Sequence, residues 1–326
     1  MPERPTLRLL DYKNTLVMLI ATALILGGVF YLVPMRATWA ALRGLPWGIS
    51  AAAMVVSLVF NVGLYADRWR RTLSYIGIRL SLADALRIHL ATGPLRLLFP
   101  IQTGELITAA VAAKKADAPV AVVAGAIAYN KYLTLLATLL MLGIAAAMHP
   151  GAVGPLGAAV GLAGLAAFLA VGTLNFQKVR EGLARLLAKL PFLTTRLPLD
   201  FFLPFDRLSR PERARLLAYS FVFQCSEIIS CALIFHALKI PLSFWDLVAV
   251  VQVIVLVSNL PITIAGVGTR EGAALVLLGA LTTNENAVAA GVAFSFFEYL
   301  WPMLVGLIWL PGLIRRPRSN SGGGPD

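Results

Sequence analysis

Apolar residues run along this chain in long blocks separated by short polar or basic segments. Six stretches, about 15–34, 48–66, 118–148, 152–174, 213–237 and 287–311, suffice to cross a hydrocarbon core of ~30 Å, which takes roughly 20 helical residues. They predict membrane-spanning helices. Two further apolar regions, 82–115 and 243–283, are broken near their middles, by Phe99-Pro100-Ile101-Gln102-Thr103-Gly104-Glu105 and by Leu260-Pro261-Ile262-Thr263-Ile264-Ala265-Gly266-Val267-Gly268. Their halves are short for spans and suit re-entrant helical hairpins, whose irregular backbone is tolerated at depth only where protein or water surrounds it. The expected fold is an all-α polytopic membrane protein, one transmembrane domain over 1–326.

Composition agrees and adds a puzzle. Of 326 residues, 59% are apolar and only 13% charged, with a mean hydropathy of +0.80; soluble domains carry about a quarter charged residues. Yet the net charge is +12, a value that often signals nucleic-acid binding. Placing the cations removes that reading. With the N-terminus inside, 22 of the 28 Lys and Arg fall in cytoplasmic segments, chiefly the helix after the second span, the basic loop 175–212 and the disordered tail 313–326. The positive-inside rule then places both termini in the cytoplasm and the chain in the inner membrane. The segment 65–80, with Arg68, Trp69, Arg70, Arg71, Tyr75 and Arg79 as basic and aromatic anchors, reads as an interfacial amphipathic helix or a plain topological anchor.

The two broken regions resemble one another. Ile78, Leu80, Ser81 and Asp84 recur as Ile240, Leu242, Ser243 and Asp246; Pro100 recurs as Pro261, Glu105 as Glu271, and Lys131-Tyr132-Leu133 as Glu298-Tyr299-Leu300. Repeat 1 covers 67–148, with hairpin 82–115 and span 118–148. Repeat 2 covers 239–312, with hairpin 243–283 and span 287–311. The first hairpin opens to the cytoplasm and the second to the other side, which makes an inverted-topology repeat. Inverted repeats with broken helices near the midplane are the architecture of alternating-access carriers.

Candidate chemistry lies in the charges left inside apolar segments: Arg96, Glu105, Lys131, Glu227, Arg270, Glu271 and Glu298. An ionised group at the bilayer centre costs ~2.5–3.5 kcal/mol or more, so these should face protein or a cavity. Lys131 and Glu298, at related positions of the two repeats, form either a structural ion pair or a gate. Glu227, near Gln224, is either part of that gate or an interhelical polar clamp. The hairpin tips, at Pro100 and Gly104 and at Pro261, Gly266 and Gly268, expose amides at half-helix N-termini that favour anions, and Arg96 and Arg270 have the fork geometry for phosphate. Cys225 and Cys231 point to different helix faces, which favours neither a disulfide nor a metal site. No catalytic constellation, metal or cofactor is expected.

Residues 261–273, Pro-Ile-Thr-Ile-Ala-Gly-Val-Gly-Thr-Arg-Glu-Gly-Ala, resemble the signature of the lysylphosphatidylglycerol synthase transmembrane-region family, also described as flippase-like. The Arg-Trp-Arg-Arg helix and the turn from Pro100 to Glu105 are similar too, although the first turn lacks the basic residues common after its Pro and Glu. The resemblance spans about 50–312 and implies the translocating part of the family, without its soluble aminoacyltransferase domain. It puts the site at Arg270, Glu271, Gly266, Gly268 and Pro261, with Glu105 and Gly104 as counterparts. The expected function is movement of a phospholipid or of a polyisoprenyl- or glycolipid-linked substrate across the inner membrane, with Arg270 on the phosphate, Glu271 and Glu105 orienting, and anionic headgroups as partners. The alternative is a non-transporting scaffold, homo-oligomeric or bound to envelope glycosyltransferases or lipid-modifying enzymes.

Overall fold

A computed structural model describes residues 12–98, 103–149, 207–260 and 262–314, with isolated positions between 159 and 166 and at 204. Every regular element among them is helical. α1 (Tyr12–Leu32) ends at Pro34, and α2 (Met35–Arg43) leaves it at 85°. Pro46 starts a 29-residue rod, α3 (Trp47–Tyr75), which contains a π-helical turn at Ser57–Val62. α4 (Leu82–Leu98), α5 (Thr103–Ala116) and α6 (Val120–Met148) follow, then α7 (Arg210–Ala237), α8 (Phe244–Ser258), a 3₁₀ turn at Ile264–Gly266 and α9 (Thr269–Leu278). α10 (Asn284–Gly306) has its own π turn at Phe296–Leu300, and α11 (Leu310–Ile314) closes the described chain.

α3, α6, α7 and α10 are long and apolar enough to cross a membrane, and α1 with α2 makes a fifth, bent candidate. The chain is thus a multi-pass membrane protein. Most of the predicted span 152–174 and of the loop 175–212, and all but the first residues of the tail, lie outside the described residues. α4, α5 and α8 have 17, 14 and 15 residues, about 26, 21 and 23 Å at 1.5 Å per residue, all short of a ~30 Å core.

Local chemistry starts these helices where the sequence places them. Ser81 Oγ accepts the Asp84 amide at 3.0 Å, and Ser243 Oγ accepts the Asp246 amide at 3.3 Å, each satisfying one donor of a first turn. Each Asp also ties its helix to a neighbour. Lys115 Nζ lies 3.5 Å from Asp84, closing α5 onto the start of α4, and His149 Nδ1 lies 2.8 Å from Asp246, joining the end of α6 to the start of α8.

Two apolar clusters organise the packing. Trp69, Leu73, Ile88, Ala109, Ala113, Val123 and Ile127 join α3 through α6. Phe235, Ile254, Leu278, Ala290 and Phe294 join α7 through α10. The abundance of buried Ala is expected where lipid supplies no hydrophobic drive and small residues let backbones approach.

One element differs from expectation. The basic segment after the second span is the continuation of α3 rather than a separate surface helix. Arg70 and Arg71 stay near the surface on Asp67, at 2.6 Å each, while Arg68 and Trp69 are fully buried. Asn61, Tyr65, Arg68 and Thr72 recur at helical spacing, so this face of α3 turns a polar stripe inward.

Candidate functional site

The buried polar residues meet around a cavity of about 490 Å³ enclosed by α3, α4, α5, α6, α7, α8 and α10. Glu105, Lys131, Glu227 and Glu298 all line it, from four different helices, together with Asn61, Tyr65, His89 and Tyr299. Its remaining wall is largely apolar, with Leu90, Leu135, Val255, Leu256, Leu260 and Met303. Few convergent polar groups in an otherwise apolar concavity are the usual make-up of a small-ligand or headgroup site. Both π turns contribute to it, one through Asn61 and the other through Glu298 and Tyr299. π turns inside α-helices recur at functional sites because the extra residue re-aims a side chain.

Lys131 pairs with Glu105 across 3.4 Å, and its side chain is 35% exposed. Of the two readings of Lys131 and Glu298, a direct ion pair between them is not what forms: the first hairpin packs on α6 and brings Glu105 to the lysine. Glu298 instead faces the Ser230 hydroxyl of α7, which acts on it, and no hydrogen bond of ordinary length and angle reaches either oxygen among the described residues. Glu227 Oε2 is likewise without one. The interhelical clamp expected near Glu227 is made by Gln224, which donates to Gln252 at 2.9 Å and to Thr138, linking α7 to α8 and α6.

Arg68 is the residue that sequence reasoning placed on the wrong surface. Its Nη1 donates to Ser220 at 2.7 Å, and its Nη2 to Thr134 at 2.6 Å and to the Asn130 carbonyl at 3.2 Å. The guanidinium lies 5.4 Å from the ring centres of both Tyr65 and Phe223 and acts electrostatically on Glu227. The inward stripe from Asn61 to Thr72 was the available signal, and Asn61 continues it by contacting Ser226 Oγ at 2.6 Å.

The second Gly-rich loop is built around its own charges. Ala265, Gly266 and Gly268 take left-handed backbone, with φ of 51°, 75° and 90°; glycine meets that requirement without steric cost. Arg270 Nη2 donates to the Ala265 carbonyl at 2.6 Å, and its guanidinium carbon sits 3.6 Å from the Tyr299 ring centre. Glu271 accepts from the Gly268 amide and from Ser295 Oγ, both at 2.6 Å. The Glu271 carboxylate therefore occupies the N-terminus of α9, the place the sequence suggests for a phosphate. Thr22 of α1 accepts the Ile264 amide at 3.0 Å and fixes the loop from outside. Arg270 and Glu271 are each 3% exposed, and Arg270 acts electrostatically on Glu227.

In the first hairpin, Gly104 is buried at the start of α5. Thr92 and Thr108 join the two arms by a buried hydroxyl contact of 2.8 Å. Pro100 and Pro261 lie outside the described residues, as does the side chain of Arg96. Cys225 and Cys231 are free thiols, one exposed and one buried. Among the described residues no group of three or more His, Cys, Asp or Glu has the arrangement of a metal site.

Comparison with curated proteins returns no match. The family of the lysylphosphatidylglycerol synthase TM region does match, over residues 17–306. That range takes in most of α1, both hairpins, the cavity and all of α10, and the chain belongs to this family.

Proposed function

We propose that the protein moves an anionic membrane lipid across the bilayer by passing its phosphate headgroup through the cavity, while the acyl chains stay in the membrane. The observation that carries this reading is Lys131: a side chain about one-third exposed, loosely paired with Glu105, on the wall of a cavity formed largely by membrane-spanning helices. A structural ion pair in lipid would be closed on both sides. A phosphate can instead displace Glu105 and take the lysine. The apolar wall accepts the glycerol and first methylenes, and Arg68 and Arg270 add positive potential from behind. On this reading the hairpins are inverted copies that expose the cavity in turn to the two membrane faces, and Arg270 and Glu271 position the second loop.

Reconstitution tests it. Vesicles carrying the protein and fluorescent phosphatidylglycerol should lose outer-leaflet label to the inner leaflet much faster than protein-free vesicles. Lys131→Gln should slow that exchange about tenfold or more, while Cys225→Ser leaves it unchanged. Exchange no faster than in empty vesicles overturns the function, and a wild-type rate in Lys131→Gln overturns the assignment of the lysine.

A further inference from the structure

Glu227 and Glu298 stand apart from the phosphate chemistry. They are 4% and 7% exposed, both line the cavity, and no hydrogen bond of ordinary length and angle reaches three of their four oxygens among the described residues. They are also neighbours. Glu298 lies at Ser230, one helical turn along α7 from Glu227, and the two carboxylates act on each other electrostatically. Unpartnered polar groups this buried are rare in native structures and call for a ligand or a function.

The charges that face the pair come from every surrounding helix. Arg68 of α3 and Arg270 of α9 act on Glu227, and Lys131 of α6 with Glu105 of α5 stands across the cavity. The other titratable groups are Tyr65 and His89, whose rings are 4.8 Å apart, Tyr132 on the cavity wall, Tyr299 beside Arg270, and the buried thiol of Cys231. Glu271 of α9, tied to the Gly268 amide and to Ser295, is a fourth buried acid beside Arg270, so with every acid ionised three cations face four anions. A phosphate monoanion entering this space adds a further negative charge. A proton taken up offsets that added charge, and Glu227 and Glu298, buried, on the cavity wall and acting on each other electrostatically, are the groups that bind it.

We infer that Glu227 and Glu298 form a proton site that loads together with the anionic headgroup, making the protein a proton-coupled lipid carrier. The inference rests on the headgroup reading above and adds its energy source. Coupling is reciprocal: the headgroup draws a proton onto the pair, and raising the pH weakens the headgroup's binding.

The test uses the full chain in detergent with dioctanoyl phosphatidylglycerol as the probe. In weakly buffered solution with an indicator dye, binding should take up about one proton per lipid somewhere between about pH 5 and 9. Over the same range the Kd should rise roughly tenfold per pH unit, as one linked proton requires. Glu298→Gln and Glu227→Gln should each abolish the uptake and flatten the pH profile, whereas Cys225→Ser, away from the cavity wall, should keep both. Binding without uptake in the wild-type protein overturns the coupling and leaves the headgroup reading standing. Absence of binding at every pH overturns both. Uptake that survives in both Glu variants and disappears in His89→Gln assigns the proton to the histidine and overturns the pair.

Discussion

Arg68 holds a buried positive charge with three hydrogen bonds and two aromatic faces, none of them a carboxylate in direct contact. Tyr65 and, among the carboxylates, Glu227 act on it electrostatically. Removing one member of such a buried set leaves the other uncompensated, at a cost of about 3–5 kcal/mol, whereas replacing both by neutral groups of similar volume is close to neutral. Arg68→Met is therefore expected to lower the thermal midpoint in detergent by several degrees, and Arg68→Met with Glu227→Gln to recover most of that loss. Additive losses in the double variant would show that the two residues do not interact. At this scale the sequence identifies which charges are buried within apolar blocks but not how they pair. Lys131 finds Glu105 rather than Glu298 because pairing depends on which hairpin arm packs on α6, and a linear repeat carries no such information. Arg68 was hidden by its basic neighbours: Arg70 and Arg71 do serve the surface, and only the 3.6-residue spacing from Asn61 separates their face from that of Arg68.

Helices α9 and α10 approach so closely that a Cβ on Gly291 would lie 2.8 Å from the Glu271 Cα and 3.0 Å from the Ala274 Cβ. The contact matters beyond packing, because Ser295, one turn further along α10, donates to Glu271, and Glu271 caps the Gly-rich loop. Gly291→Ala should push the helices apart at a cost of about 1–3 kcal/mol, the usual penalty for overpacking. It should also expose the Gly268 amide to faster hydrogen exchange. Unchanged exchange at Gly268 would separate the packing from the loop. The elements themselves were largely legible: the spans predicted at 48–66, 118–148, 213–237 and 287–311 appear as Trp47–Tyr75, Val120–Met148, Arg210–Ala237 and Asn284–Gly306, since length and hydropathy alone select them. Neither π turn was legible. Ser57–Val62 and Phe296–Leu300 carry no Gly or Pro within them, though Gly63 and Pro302 follow closely, and hydropathy alone does not tell a π turn from an α turn.

For the whole molecule, the sidedness of the two hairpins decides whether the repeats are inverted. The loop before the first hairpin and the loop before the second carry corresponding residues, Arg79 in Ile78-Arg79-Leu80-Ser81 and Pro241 in Ile240-Pro241-Leu242-Ser243. An odd number of crossings between these loops puts them on opposite membrane faces, and an even number puts them on the same face. The described helices leave this parity open, because the region between α6 and α7 contains one more predicted span at 152–174. The distribution of basic residues favours opposite faces, since Arg79 has Arg68, Arg70, Arg71 and Arg87 close to it in sequence whereas no other Lys or Arg lies between Arg215 and Arg270 around Lys239. Both are exposed, so each can report its side. In a background with Cys225→Ser and Cys231→Ser, Lys239→Cys should react with a membrane-impermeant maleimide in right-side-out vesicles and Arg79→Cys only in inverted ones. Labelling of both from one face would make the hairpins parallel. The cavity would then have no second orientation to adopt, and alternating exposure of Lys131 and the Glu227–Glu298 pair would be ruled out along with it.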